Sequence, residues 1–359
     1  MGQGDCLGDK RVSVFLDPDP PLLAFDRVSR SFRRGRTEVP VLQDVDLEVR
    51  GLEFLCLVGE SGCGKTTSGK ILSGLLPPSS GRVLFEGQDV SALHGEAHRR
   101  YRRAVQIIHQ DPYASLNPTQ SVAEIMCYPL VRHGFARNHK QARSRALELL
   151  GLVGLTPTKD VIDKYPHQLS GGQRQRVSIA RALTTEPRVV VADEAVSMVD
   201  VSIRISILNT LMKMRDTLSL TVVFITHDLA LAKYFAQEGR IAVMYLGRVV
   251  EVGRTRDVTE NPQHPYTRTL LSAIPEPDPD RTRHKEVLAL RSEDVPSLTE
   301  LPPGCTFGPR CPFFEPGRCD AAVPELAPVP GAGGGAAVAC TPLTAGDRLR
   351  PYGRLEVSG

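Results

Sequence analysis

No run of about 18 apolar residues occurs in these 359 residues, so no segment is expected to span a bilayer as a helix. The first stretch, MGQGDCLGDKRVSVFLDPDPP, lacks the apolar core of a secretory signal. Residues 1–21 therefore read as a disordered lead-in, and the chain is expected to stay in the cytosol. An excess of charge of one sign is also missing. Lys and Arg number 44 against 41 Asp and Glu, a formal net charge of +3, which argues against a nucleic-acid partner held by bulk charge. Two local basic runs, Arg30 with Arg33, Arg34 and Arg36, and Arg99 with Arg100, Arg102 and Arg103, read as solvated surface or as contacts to anionic lipid heads or a partner. Apolar content of 41% and charged content of 24% fit an ordinary globular chain, long enough for one large domain and a smaller one. In the cytosol the eight cysteines are expected as reduced thiols or metal ligands rather than disulfides. Cys6, Cys56, Cys63 and Cys127 are scattered; the other four fall within the last 55 residues.

Gly59-Glu60-Ser61-Gly62-Cys63-Gly64-Lys65-Thr66 is a complete phosphate-binding loop. Such a string arises by chance in roughly 1% of chains this long, so its context matters. It follows the apolar run Phe54–Val58 and precedes a helix-suited stretch from Thr66 to Leu75, the strand–loop–helix setting that such a loop requires. Gly59, Gly62 and Gly64 let backbone N–H groups turn inward around a triphosphate, with Ser61 and Cys63 completing the cradle. Lys65 supplies a positive charge between the β- and γ-phosphates, Thr66 a hydroxyl for Mg²⁺, and Thr67 a donor to the α-phosphate. A plain glycine turn at a helix head is the alternative, and it leaves the Lys-Thr pair without a purpose. Asp193 and Glu194 follow the apolar run Val189–Ala192. Asp193 is expected to hold Mg²⁺ through water, and Glu194 to orient and deprotonate the attacking water; a helix cap is the plainer reading. His227, after the run Thr221–Ile225, is expected near the γ-phosphate, although a lone His is ordinarily a surface or core residue.

Apolar strands separated by helices argue for a mostly parallel sheet with helices on both faces. Between Ser115 and Ser170 the texture is helical, as in HKQARSRALELL from His139, and reads as an inserted subdomain. Val243 to Val252 reads as a hairpin around Leu246-Gly247. After Gly253 come Pro275, Pro277, Pro279, Pro302 and Pro303, then Gly331 to Gly335, a partly mobile tail of loops and short elements.

The phosphate loop, Gln110, Leu169-Ser170-Gly171-Gly172-Gln173, Asp193-Glu194, Asp200 and His227 stand in the order of the ABC-type ATPases, which residues 22–258 resemble. The resemblance implies an α/β P-loop fold: a mostly parallel sheet core, an antiparallel β part, an inserted helical subdomain at about 115–170, and a loop-rich extension over 259–359. It assigns Gln110 to sensing Mg²⁺ and water while touching membrane subunits. It has Ser170, Gly171, Gly172 and Gln173 bind the γ-phosphate of ATP held on a second ATPase subunit, with Asp200 at the seam. Phe32 falls where the family stacks an aromatic on adenine, a core Phe being the alternative. Gln110 to Pro118 (QDPYASLNP), Tyr165-Pro166-His167-Gln168, Val243 to Gly247 and His264-Pro265-Tyr266-Thr267 are similar to oligopeptide/dipeptide importer ATPases. Leu271 to Pro275 is closer to the second of their two paired ATPases. Ala195 in place of Pro, Met198-Val199 in place of Ala-Leu and His109 in place of Phe depart from the pattern without removing a charged or ligating group. The resemblance thus implies ATP hydrolysis coupled to peptide import at the cytoplasmic face of a bacterial membrane. It also implies a paralogous second ATPase subunit, two permeases and an extracytoplasmic solute-binding protein. Nickel chelates, glutathione or sugars remain open as cargo. A soluble ABC ATPase acting on ribosomes or DNA would carry a second ATPase domain or a coiled-coil insertion, and neither is present.

Cys305, Cys311, Cys319 and Cys340 are spaced C-x5-C-x7-C-x20-C, without the paired CxxC knuckles of common zinc sites and without the ferredoxin pattern. Four thiols in a tail poor in apolar residues point to a metal staple. The resemblance implies a [4Fe–4S] cluster on these four, structural or redox-sensing, with zinc or free thiols as alternatives.

Overall fold

The computed structural model describes residues 20–274, 288–330 and 336–349; of the 1–21 lead-in, residues 1–19 with Cys6 lie outside them, as do Pro275, Pro277, Pro279 and the Gly331 to Gly335 stretch. Two long antiparallel strands, β1 (Leu23–Arg34) and β2 (Thr37–Val49), turn on Gly35 at a φ of +62°. β3 (Phe54–Val58) is buried at every residue and runs through the glycine loop into α1 (Lys65–Leu72). β4 (Ser80–Phe85) and β5 (Gln88–Asp89) complete a four-stranded antiparallel sheet in the order β2-β1-β4-β5. α2 (Gly95–Ala104) carries the second basic run, whose Arg99, Arg100 and Arg103 pair with Glu86 and Glu96 on an exposed surface.

β6 (Val105–Ile108) follows, and then α3 (Pro112–Ser115), α4 (Val122–Arg132), α5 (His139–Leu152) and α6 (Thr158–Ile162). Ser121 and Glu124 cap α4 reciprocally, satisfying backbone donors at its first turn. α4, α5 and α6 pack on one another, and α4 and α5 pack on α7 (Gly171–Leu183). The chain continues through β7 (Val189–Asp193), α8 (Val201–Leu218), β8 (Thr221–Thr226), α9 (Leu229–Phe235) and the hairpin β9 (Arg240–Tyr245) and β10 (Arg248–Arg254). Then come α10 (Thr255–Glu260), α11 (Pro265–Ser272), the short strands β11 (Ala327–Pro328) and β12 (Ala337–Val338), and α12 (Thr341–Thr344).

The main sheet has eight strands in the order β11-β12-β10-β9-β3-β8-β7-β6. From β9 to β6 neighbouring strands are parallel, which needs helical crossovers and buries both faces. That burial explains the continuous apolar runs of β3, β7 and β8. Alternate side chains face opposite cores: Leu55, Leu57, Val191, Val223 and Ile225 pack toward the antiparallel sheet. Cys56, Val58, Val190, Val222 and Phe224 pack toward the helices of the other face. Val58 lies opposite Thr226 and Val243, and Asp193 opposite Ile225, so β3, β7, β8 and β9 end together at one edge. In an open parallel sheet that carboxyl edge is where ligands bind. Among the described residues no helix is long and apolar enough to cross a membrane.

The C-terminal stretch is more integrated than its proline content predicts. β12 pairs with β10 through Glu251–Val338 and Val252–Ala337, and Phe307 is fully buried against the main core. It gains its order from a sheet edge and a core supplied by the rest of the chain.

Candidate functional site

The loop after β3 is shaped by three positive-φ glycines, Gly59 (+154°), Gly62 (+81°) and Gly64 (+104°). At Gly59 a side chain has no room: a Cβ would lie 2.2 Å from the Met244 carbonyl oxygen at the end of β9. Lys65 is only 5% exposed, and its ammonium donates to the Gly59 and Glu60 carbonyls, each at 2.8 Å. The lysine therefore folds back inside the loop that it terminates. Ser61 is exposed, Cys63 buried, and Thr67 half-buried at the first turn of α1.

Thr66 and Asp193 meet across two elements, the Thr66 hydroxyl donating to Asp193 Oδ1 at 3.0 Å. Burial pushes the Asp193 carboxyl above its ordinary range, and the Thr66 hydrogen bond opposes that shift. Glu194 adopts a φ of +45°, a left-handed conformation that is costly for a non-glycine residue. Both of its oxygens are engaged. Gln110 Nε2 donates to Oε2 at 2.7 Å, and His227 Nδ1 stands 3.2 Å from Oε1. Gln110, Asp193, Glu194, His227, Lys65 and Thr66 are thus gathered at the carboxyl edge of the sheet, from four separate segments.

Ser170, Gly171, Gly172 and Gln173 are not joined to that network among the described residues. Ser170 and Gln173 cap α7 reciprocally, at 3.3 Å and 3.0 Å. Gly171 opens onto free space, whereas a side chain on Gly172 would strike Ile203 at 2.9 Å. Asp200 is exposed at the head of α8. Phe32 is 40% exposed under the Arg30 guanidinium, 4.9 Å from the ring centroid, which overturns the core alternative for this residue.

Two contacts to the loop escape sequence reasoning. The Tyr266 hydroxyl accepts the Glu60 N–H at 2.9 Å, and Arg310 Nη1 donates to both Glu60 carboxylate oxygens at 3.1 Å and 3.0 Å. Tyr266 belongs to a recognisable string, but Arg310 carries no motif signal that points to the loop.

Cys305, Cys311, Cys319 and Cys340 line one small cavity with His264 and Phe307. Burial pushes the Cys305 thiol up to about 11 and those of Cys311 and Cys340 up to about 12; Cys319 is raised for the same reason. Backbone N–H groups of Phe313 and Glu315 approach the Cys311 and Cys319 sulfurs at 3.4 Å each. Among the described residues, however, no group of three or more His, Cys, Asp or Glu side chains is disposed to hold a metal ion. The four thiols expected to form a metal staple thus share a cavity, but the described side chains do not present a metal-holding group there. Cys56, Cys63 and Cys127 are buried free thiols.

Comparison with known proteins matches this geometry. Residues 42–197 fit the ABC transporter family model, and residues 250–319 the oligopeptide/dipeptide transporter C-terminal region. The chain is 44% identical over 308 residues to y4tS of Sinorhizobium fredii, named as a peptide ABC transporter ATP-binding protein, covering 85% of this chain and 84% of that one. It is 42% identical over 264 residues to the oligopeptide transport ATP-binding protein OppF of Salmonella typhimurium, covering 74% and 78%. Among solved structures, the dimeric ATP-binding cassette MJ0796 bound to ADP and Pi aligns with a TM-score of 0.58 at 30% identity, over 65% of this chain and 99% of that one. With a complete phosphate loop, paired carboxylates at a strand end and the matching C-terminal region, the chain belongs to the ATP-binding proteins of the oligopeptide/dipeptide ABC transporter family.

Proposed function

We propose that this chain is the ATP-hydrolysing subunit of a peptide importer at the cytoplasmic face of a bacterial membrane. The observation that carries the reading is the Gln110–Glu194–His227 network beside the Thr66–Asp193 pair. Lys65 and the loop N–H groups bind the triphosphate, and Phe32 stacks on adenine. Thr66 and Asp193 are hard oxygen donors suited to Mg²⁺, which takes few protein ligands and keeps water and phosphate for the rest. Bound there, Mg²⁺ neutralises phosphate charge. Glu194 accepts a proton from the attacking water, Gln110 orients that carboxylate, and His227 steadies its other oxygen.

Ser170, Gly171, Gly172 and Gln173 serve ATP held on a second, paralogous ATPase subunit, and Asp200 lies at the seam. Two permeases and an extracytoplasmic solute-binding protein complete the assembly. In membrane vesicles carrying the full assembly, labelled oligopeptide uptake should require ATP and this subunit. Uptake of nickel chelates or glutathione in place of peptides would contradict the peptide assignment.

The four C-terminal cysteines hold a [4Fe–4S] cluster in this proposal. Backbone donors at the Cys311 and Cys319 sulfurs suit thiolates, and a bound metal would supply the charge that offsets the burial opposing them. Protein purified without oxygen should contain about four iron atoms per chain and absorb near ~400 nm, and a single Cys311→Ser change should bleach it. One zinc and no iron, or no metal at all, would remove the cluster from the account.

A further inference from the structure

The cysteine turn and the phosphate loop share an ion pair whose arginine is buried. Cys305 and Cys311 lie on one tight turn, closed by the Gly308 N–H to the Cys305 carbonyl at 2.9 Å and the Cys311 N–H to the Gly308 carbonyl at 3.2 Å. Arg310, inside that turn, points out of it and grips the Glu60 carboxylate. The arginine side chain is 7% exposed and the glutamate 32%. Tyr245 and Phe307 wall the guanidinium, each ring centroid 5.8 Å from it. Glu60 is itself a residue of the loop, and its carbonyl accepts from Lys65 while its N–H is held by Tyr266. The C-terminal region therefore fixes Glu60 at both the side chain and the backbone.

We propose that Arg310 is a positioning residue for nucleotide binding, through which the C-terminal region sets the affinity of the phosphate loop for a nucleoside triphosphate. The inference rests on the reading of the Lys65 loop as the triphosphate site. Arg310 acts in two ways. Its charge cancels the Glu60 carboxylate, which otherwise stands as an uncompensated anion in a loop that must receive several negative charges. Its bond to both carboxylate oxygens also fixes the side chain, and with Tyr266 it holds the segment whose carbonyls orient Lys65. Removing Arg310 leaves the half-buried Glu60 carboxylate unpaired in the phosphate loop.

The test is the dissociation constant for MgATP of the full chain, read by titration calorimetry. Arg310→Ala should weaken binding roughly tenfold, and Arg310→Lys, which keeps the charge, by less than about threefold. Adding Glu60→Gln to Arg310→Ala should restore affinity to within about threefold of the starting protein. A tail that merely unfolds in Arg310→Ala cannot be rescued by removing a charge in the loop. Lys65→Ala tests the underlying reading separately, since it should abolish binding. Wild-type affinity in Arg310→Ala beside a dead Lys65→Ala overturns the coupling, as does a double variant no better than Arg310→Ala. Undiminished binding in Lys65→Ala overturns the loop reading, and this inference with it.

Discussion

Glu194→Gln is expected to lower steady-state ATP turnover of the assembled complex by about a hundredfold or more while leaving ATP binding intact. The change removes the carboxylate that accepts the proton from water, and positioned general bases contribute roughly 10²–10⁴ in rate. It keeps the shape of the side chain. One amide oxygen can still accept from Gln110 and the amide nitrogen can face His227, so the network at 2.7 Å and 3.2 Å survives in outline. Lys65, Thr66 and Asp193 are untouched, and ATP should accumulate unhydrolysed in a closed pair of subunits. Phosphate release gives the rate and size-exclusion chromatography with ATP gives the trapped pair. A fall of less than about tenfold would place the base elsewhere.

Gly171→Asp should cut hydrolysis by the assembled pair by about tenfold or more, yet leave the chain folded and its own ATP affinity within about twofold. Nothing stands within 4 Å of a Cβ at Gly171, so the side chain fits without displacement. An acid in the first turn of α7 is favourable to that helix, because it meets the unsatisfied N–H groups there. The same helix head is proposed to receive the γ-phosphate held on the second ATPase, where a new carboxylate repels it. Melting temperature and nucleotide titration report on the chain itself, and phosphate release on the pair. Unchanged turnover with a folded protein would detach Gly171 from the reaction. The neighbouring Gly172 offers no such separation, since Ile203 blocks any side chain there.

Elements whose signals are local are legible in the sequence alone. β3, the glycine loop and α1 follow one another within a few residues, so the apolar run, the turn glycines and the Lys-Thr pair specify each other. The β9–β10 hairpin is equally local, turning at Leu246 (φ +41°) and Gly247 (φ +82°). Periodicity reports that a face is buried but not what buries it. Hence the pairing of β1 with β4, Leu23 opposite Phe85, has no sequence signature, and neither has β12 laid along β10. The tail is loops and short elements, as its composition indicates, but where it docks has no sequence signature: Phe307 enters a core built by other segments. Within the site, residues carrying charge next to strand ends were readable from the strands alone. Arg310 was not, because its partner Glu60 lies 250 residues earlier and the two meet only after the sheet has closed.

The central claim is that this chain supplies half of each ATP site, with Lys65 and Glu194 on one subunit facing Ser170 and Gly171 of another. The direct measurement is the ATPase rate per chain as protein concentration rises, alone and with the second ATPase subunit and the permeases added. The account predicts a slow rate for the isolated chain that climbs as subunits pair, and climbs further in the full complex. A rate per chain that stays constant across concentration and is indifferent to partners would show a site complete within one chain, and would contradict it.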